Sequence, residues 1–142
     1  MLRKGGVGDI DTIVDIWLWA SLQSHDFIEA ASWWQAQETL RIRYLQYASI
    51  WVFEEKGELL GFMGLMDNYL AALFVRPENQ QQGVGHALLQ QAKRHASTLY
   101  TKIFVENRAA VQFYLHHGFV IVAEEMDPLT NHPQYKMCFN VA

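Results

Sequence analysis

The segment Leu73-Phe74-Val75-Arg76-Pro77-Glu78-Asn79-Gln80-Gln81-Gln82-Gly83-Val84-Gly85-His86 carries the clearest chemical signal in this chain. A run of strand-forming residues stops at a proline, a turn follows, and two glycines open a helix. Glycine lets the backbone turn tightly and approach a ligand with no Cβ in the way. The first N–H groups of a helix have no intrahelical partner, and the helix dipole is positive there. Together these features make a cradle for phosphate. His86-Ala87 after Gly85 excludes a P-loop, which needs Lys-Ser/Thr at that place. A dinucleotide fingerprint is excluded as well, because there is no G-x-G-x-x-G and the preceding strand is the fourth. Glycine spacing alone leaves a helix entry without ligand open beside the phosphate cradle.

The elements that must position this loop follow from periodicity. Asp9 reads as an N-cap, and Ile10, Ile13, Val14, Trp17 and Leu18 recur at helical spacing, so a first helix runs to about Gln23. Ser24-His25-Asp26-Phe27 breaks that pattern as a loop. A second helix is expected from Glu29 to Ala48, with Trp33, Gln37, Leu40, Tyr44 and Tyr47 along one stripe. Ile50 to Phe53 is a continuous apolar run, suited to a strand covered on both faces. Glu55-Lys56-Gly57-Glu58 reads as a hairpin turn, Leu59 to Met66 as the return strand, Asp67-Asn68 as a turn, and Tyr69 to Val75 as the next strand. Pro77 ends it. After the glycine loop come a helix, a strand near Thr101 to Val105, and a helix capped by Asn107 and ended by Gly118. Phe119 to Ala123 and Tyr135 to Val141 are the last strands. The order β-α-α-β-β-β-α-β-α-β-β is α/β or α+β by class, with the strands on either side of the glycine-loop helix parallel.

Two stretches decide between the readings of the loop. Gln80-x-x-Gly83-x-Gly85 after Leu73-Phe74-Val75-x-Pro77 resembles motif A of the GNAT acetyltransferases. Asn107-Arg108-Ala109-Ala110-Val111-Gln112-Phe113-Tyr114-Leu115-His116-His117-Gly118-Phe119 resembles that family's N-x-x-A-x-x-F-Y-x-x-x-G-F motif B. The element order resembles the family over the whole chain. Ser24-His25-Asp26-Phe27-Ile28 is similar to small bacterial members with an H-x-F-I stretch, some of which acetylate protein lysines. The resemblance implies a single GNAT domain over residues 1–142, with a mixed, mostly antiparallel sheet of about six or seven strands and helices on both faces. It implies acetyl-CoA as co-substrate, no metal, and direct transfer to a primary amine.

Site residues follow from the same resemblance. Backbone groups of Leu73, Phe74 and Val75 would bind the pantetheine arm, and one of their N–H groups would polarise the thioester carbonyl. The backbone of Gln81, Gln82, Gly83, Val84, Gly85 and His86 would hold the pyrophosphate. Asn107 would contact the CoA arm while capping its helix, and Tyr114, two turns on, would protonate the departing thiolate. The acceptor side would be formed by His25, Phe27 and Tyr69, with one or two of Trp17, Trp19, Trp33 and Trp34 lining a slot for an aliphatic chain. Many members carry a glutamate base five residues before the motif B asparagine. Here that position is Lys102, and Glu106 reads as a solvent-facing residue. His25 could take the acceptor's proton, as could a water chain, or His25 could serve only to shape its loop. His116 and His117 read as structural residues at a helix C-terminus. The missing glutamate keeps a second reading open, in which the chain is a catalytically silent acetyl-CoA-binding sensor.

Composition bounds the partners. The 142 residues are 51% hydrophobic, enough for a packed core, and carry a net charge of −4. That charge argues against nucleic acid as a partner. One cysteine, Cys138, allows no internal disulfide, and no apolar run is long enough to cross a bilayer. A cytoplasmic protein, monomer or homodimer, without membrane partners is the resulting expectation.

Overall fold

Turn chemistry sets the sheet. Lys56 and Gly57 both take positive φ (52° and 79°), the geometry of a two-residue hairpin turn that matches strand twist. They join β2 (Ser49–Glu55) to β3 (Glu58–Met66). Asp67, at φ 54°, opens the turn into β4 (Tyr69–Val75). In the computed structural model, which describes residues 1–44, 46 and 49–141 and only the backbone of Tyr44, these strands form the middle of a seven-stranded sheet. β1 (Leu2–Lys4) lies on one edge; β5 (Thr98–Phe104), β7 (Pro133–Asn140) and β6 (Val120–Met126) complete the order β1-β2-β3-β4-β5-β7-β6. Every pairing is antiparallel except β4 with β5.

Helices cover both faces, as expected. α1 (Ile10–Ser24) presents Ile13, Val14 and Trp17 to Val52 and Phe62 on one face, together with Leu40 of α3 (Gln37–Tyr44). α4 (Val84–His95) packs Val84, Leu88 and Leu89 on the other face against Leu60, Met63 and Leu65, joined by Tyr114 of α5 (Arg108–His116). Each fully buried aliphatic side chain in such a core contributes about 1.5–3 kcal/mol. β3 can serve both cores because it is buried from Leu59 to Leu65. α4 comes close to it at Gly61, where a Cβ would stand 2.8 Å from the Phe74 carbonyl oxygen and 3.2 Å from Leu88.

Two expectations need correction. Asp9 stands at the N-cap position of α1, but its carboxylate makes no bond to that helix. It accepts from the Gly6 N–H at 2.8 Å and pairs with the Arg3 guanidinium at 2.9 Å, which also reaches Glu54. The Arg3 hydrogen bond holds the Asp9 carboxyl below its ordinary value. A guanidinium within reach outcompetes a helix N–H for the carboxylate. The second helix is two segments, α2 (Ala30–Gln35) and α3, meeting at Ala36. The bend lets Trp33 turn inward, edge-on to Trp17 at 5.6 Å, while Leu40 stays on the core. The Tyr44 side chain and Tyr47 of the expected stripe lie outside the described residues. No described helix is long and apolar enough to cross a membrane.

Candidate active site

The site begins where β4 and β5 part. Their only registered pair is Tyr69 with Tyr100, whose rings stack at 4.8 Å and close one end of the fork. Beyond it, Ala71 is an extra residue in β4: Gly64 faces Ala72, but Leu65 already faces Leu70. A bulge of this kind bends its strand and breaks the ladder. The Thr101 hydroxyl donates to the Leu70 carbonyl at 2.9 Å and so caps the first acceptor that β5 leaves unpaired. From Ala71 to Val75, β4 borders an open cleft of about 1490 Å³.

At the far end of β4 lies the glycine loop. Gly83 is the N-cap of α4 with φ 86°, Gln81 also has positive φ (64°), and nothing stands within 4 Å of a Cβ built on Gly83. Successive N–H groups in such a turn form a concave anion seat at the positive end of α4. The glutamine side chains hold the loop: Gln80 Nε2 donates to the Val75 carbonyl at 3.3 Å and Gln82 Nε2 to that of Glu78 at 3.4 Å. Gln81, Gly83, Gly85 and His86 border the cleft; the Val84 side chain is buried in the core and Gln82 points away. Those last two positions have only backbone N–H groups to offer a ligand there.

Tyr114 is 4% exposed and also borders the cleft, packed edge-on to Phe119 at 5.1 Å. Burial pushes its phenol well above the ordinary tyrosine value, against the opposing hydrogen bond of Thr101. Burial also raises Tyr69. Both phenols therefore hold their protons at neutral pH and have them to give.

The structure joins two residues that the sequence separates by 82 positions. Asn107 caps α5 by accepting from the Ala110 N–H through Oδ1 at 3.3 Å. That bond turns its Nδ2 toward His25 Nε2, 3.0 Å away. Nε2 must then be the acceptor, so the proton sits on Nδ1, which is buried with no hydrogen-bond partner in the structure. His25 stacks on Trp33 at 5.1 Å and meets Phe27 and Phe104 edge-on. Desolvation in this cage pushes its pKa down to about 4. A proton acceptor working near pH 6.5 is thus not what His25 is built to be; it braces the loop after α1 against the N-cap of α5.

A pH-dependent stability follows. Across the window from the ordinary 6.5 down to about 4, the unfolded chain binds a proton at position 25 that the folded chain refuses. Stability at this site is complete above that window and falls as the pH drops through it, by about 3 kcal/mol in all. Thermal unfolding of His25→Gln should therefore lose less on acidification than the wild type. Equal slopes for the two proteins would show that another group carries the acid sensitivity.

Several participants gave no signal in the sequence. Thr101 and Phe104 read only as strand residues, yet both border the cleft. Trp17 and Trp33 border it too, whereas Trp19 and Trp34 form an exposed pair elsewhere, 49% and 48% accessible. Glu106, read as solvent-facing, accepts from His132 Nδ1 at 2.7 Å. His117 is more than a helix end: its Nε2 lies 2.9 Å from His86 Nδ1. Lys102 occupies the place of the family glutamate and lies 4.0 Å from Glu125.

A parallel strand pair that parts beside a glycine-opened helix N-terminus, with a buried phenol in the fork, is an arrangement suited to an acyl-CoA-dependent transferase. The chain belongs to the GNAT acetyltransferase family: the model of the acetyltransferase (GNAT) domain matches residues 46–121. It is 34% identical to the peptidyl-lysine N-acetyltransferase YiaC of Escherichia coli, over 99% of this chain and 97% of that one. It is 32% identical to the peptidyl-lysine N-acetyltransferase YjaB of the same organism, over 90% and 88% of the two chains. The solution structure of apo YjaB superposes with a TM-score of 0.86, covering 100% of this chain and 98% of that one. The fold is shared with yncA of Salmonella typhimurium, solved with its cofactor acetyl-CoA (TM-score 0.69, 19% identity, 100% and 94% covered). The protein is an acetyl-CoA-dependent N-acetyltransferase that transfers the acetyl group to an amine. The reading as a silent sensor falls with that assignment.

Proposed function

We propose that the acceptor is a lysine side chain of a protein, and that the whole chain acts as one domain in the cytoplasm, as a monomer or homodimer. The observation that carries the acceptor is the kinship with two enzymes named for peptidyl-lysine, each matched over most of its length. The cleft agrees with it. Phe27, Trp33, Tyr69 and Phe104 offer an apolar wall for an aliphatic stem, where each buried methylene contributes roughly 0.8 kcal/mol.

In this reading acetyl-CoA lies in the β4–β5 fork. The backbone of Leu73, Phe74 and Val75 holds its pantetheine arm, and the N–H groups from Gln81 to His86 hold its pyrophosphate. Asn107, already turned by its cap bond to the Ala110 N–H, has its carboxamide beside the arm. The neutral amine attacks the thioester carbon, the C–N bond forms, and the C–S bond breaks. Tyr114 gives its proton to the leaving thiolate. One further proton of the original ammonium must reach bulk water. His25, Phe27 and Tyr69 form the acceptor side.

Thiol release should be measured with lysine peptides, free amino acids, polyamines and aminoglycosides. Lysine peptides are expected to show a kcat/KM at least about tenfold above the small amines. Preference for a polyamine or aminoglycoside would overturn the protein-lysine reading and leave the acetyltransferase assignment standing.

A further inference from the structure

The reaction needs a proton acceptor for an ammonium, and His86 lies at the glycine-loop end of the cleft, beside His117, while the groups at the β4–β5 fork do not supply one. Lys102 is a cation beside Glu125. The Nε2 lone pair of His25 is taken by Asn107. The Asp127 carboxylate is tied into its own turn by the Thr130 N–H at 3.2 Å and hydroxyl at 2.7 Å.

From the geometry we infer that His132, oriented by Glu106, receives the acceptor's proton. The inference rests on the amine-acetyltransferase reading and deepens it. His132 stands one residue before β7 and borders the same cleft as Tyr114 and Lys102. Its ring lies 5.2 Å from Phe27, which in turn packs on His25 and Phe104. His132 is therefore placed at the acceptor wall. Nδ1 donates to Glu106 Oε1 at 2.7 Å. That bond fixes the tautomer and leaves the Nε2 lone pair as the free base, while the carboxylate stabilises the imidazolium that proton uptake creates. Both side chains remain partly open to water (30% and 43% accessible), so the proton passes on to bulk.

The balance closes. The ammonium gives one proton to His132 Nε2, directly or through one water, and becomes a neutral nucleophile. Attack and collapse leave one hydrogen on the amide nitrogen, and the other replaces the proton that Tyr114 gives to sulfur. Glu106 does not touch the substrate; it is a positioning residue. Asp127 shares the turn of His132, the Asp127 N–H donating to the His132 carbonyl at 2.9 Å; the Lys102–Glu125 pair borders the same cleft, and His25 lies behind Phe27.

The pH profile of kcat/KM tests this, measured with the best acceptor from the thiol-release screen. A wrong acceptor class thus overturns only the protein-lysine reading. Wild type should show a limb in the imidazole range on top of the amine's own. His132→Gln should lower kcat/KM by about tenfold, less than the usual 10²–10⁴ because water can partly substitute, and should erase the imidazole limb. Added imidazole should restore part of the rate in His132→Gly. Glu106→Gln should keep the limb and lower kcat/KM by less than His132→Gln does, and Glu106→Asp should restore part of that loss, because the carboxylate orients the ring without being the base. A His132→Gln enzyme within twofold of wild type and with an unchanged profile would overturn the inference. So would loss of the limb in Glu125→Gln instead.

Discussion

Tyr114→Phe is expected to lower kcat by roughly 10²–10⁴-fold, the usual contribution of a positioned general acid. The substitution keeps the ring against Phe119 and the helix that carries it. It deletes one buried hydroxyl beside Thr101. Its stability cost should stay near 1 kcal/mol, that of one hydrogen bond. Acetyl-CoA affinity should be almost unchanged, because the anion seat is at the other end of β4. The proton at stake cannot come from bulk water as easily as at the acceptor mouth, since the phenol is enclosed. Single-turnover thiol release, calorimetry with acetyl-CoA and thermal unfolding separate the three quantities. A kcat within a factor of about two of wild type would mean that the acid is elsewhere or that chemistry does not limit turnover.

Gly83→Glu should weaken acetyl-CoA binding by about 10²-fold or more. Two effects add. A side chain at φ 86° is strained, at roughly 1–2 kcal/mol for a left-handed residue. A carboxylate at the mouth of the turn also repels the pyrophosphate, by about 4 kcal/mol per unit charge pair at 4 Å in a surface-like dielectric. Gly83→Asn is the control, because asparagine tolerates the left-handed region and brings no charge. It should bind within about tenfold of wild type. Calorimetry at matched fold stability reads both. Equal affinity for Gly83→Glu and wild type would remove the phosphate from this loop.

Turns and periodic runs were legible in the sequence because they are local. Gly57 and Asp67 are residue types that tolerate positive φ, and the strands that these turns join came within a residue or two of their observed ends. Asn107 and Gly118 bracket α5 for the same reason: cap and stop are set within one turn of chain. Asp9 took the N-cap position without the cap bond, because Arg3 on β1 holds its carboxylate. The helix expected from Glu29 broke at Ala36 because Trp33 had to reach Trp17 and His25, a demand that no local pattern records.

What the sequence by itself determined is the family and, with it, acetyl-CoA as co-substrate. A glycine-opened helix and an asparagine–tyrosine spacing are contiguous signals, and the chemistry proposed for them rests on backbone N–H groups and one phenol. What only the tertiary structure decided is the proposed acceptor end. It is assembled from the loop after α1, the end of β5, the entry to α5 and the start of β7, which come together only when the β4–β5 fork opens. His25 looks the same in sequence whether it titrates near 6.5 or near 4. The difference is made by Asn107, whose cap bond dictates the direction of its amide, and by the aromatic cage that excludes water. Likewise His132 becomes a candidate base only through Glu106, 26 positions away in the chain and 2.7 Å away in space. Proton affinity is a property of surroundings, and surroundings here are made of residues distant in sequence.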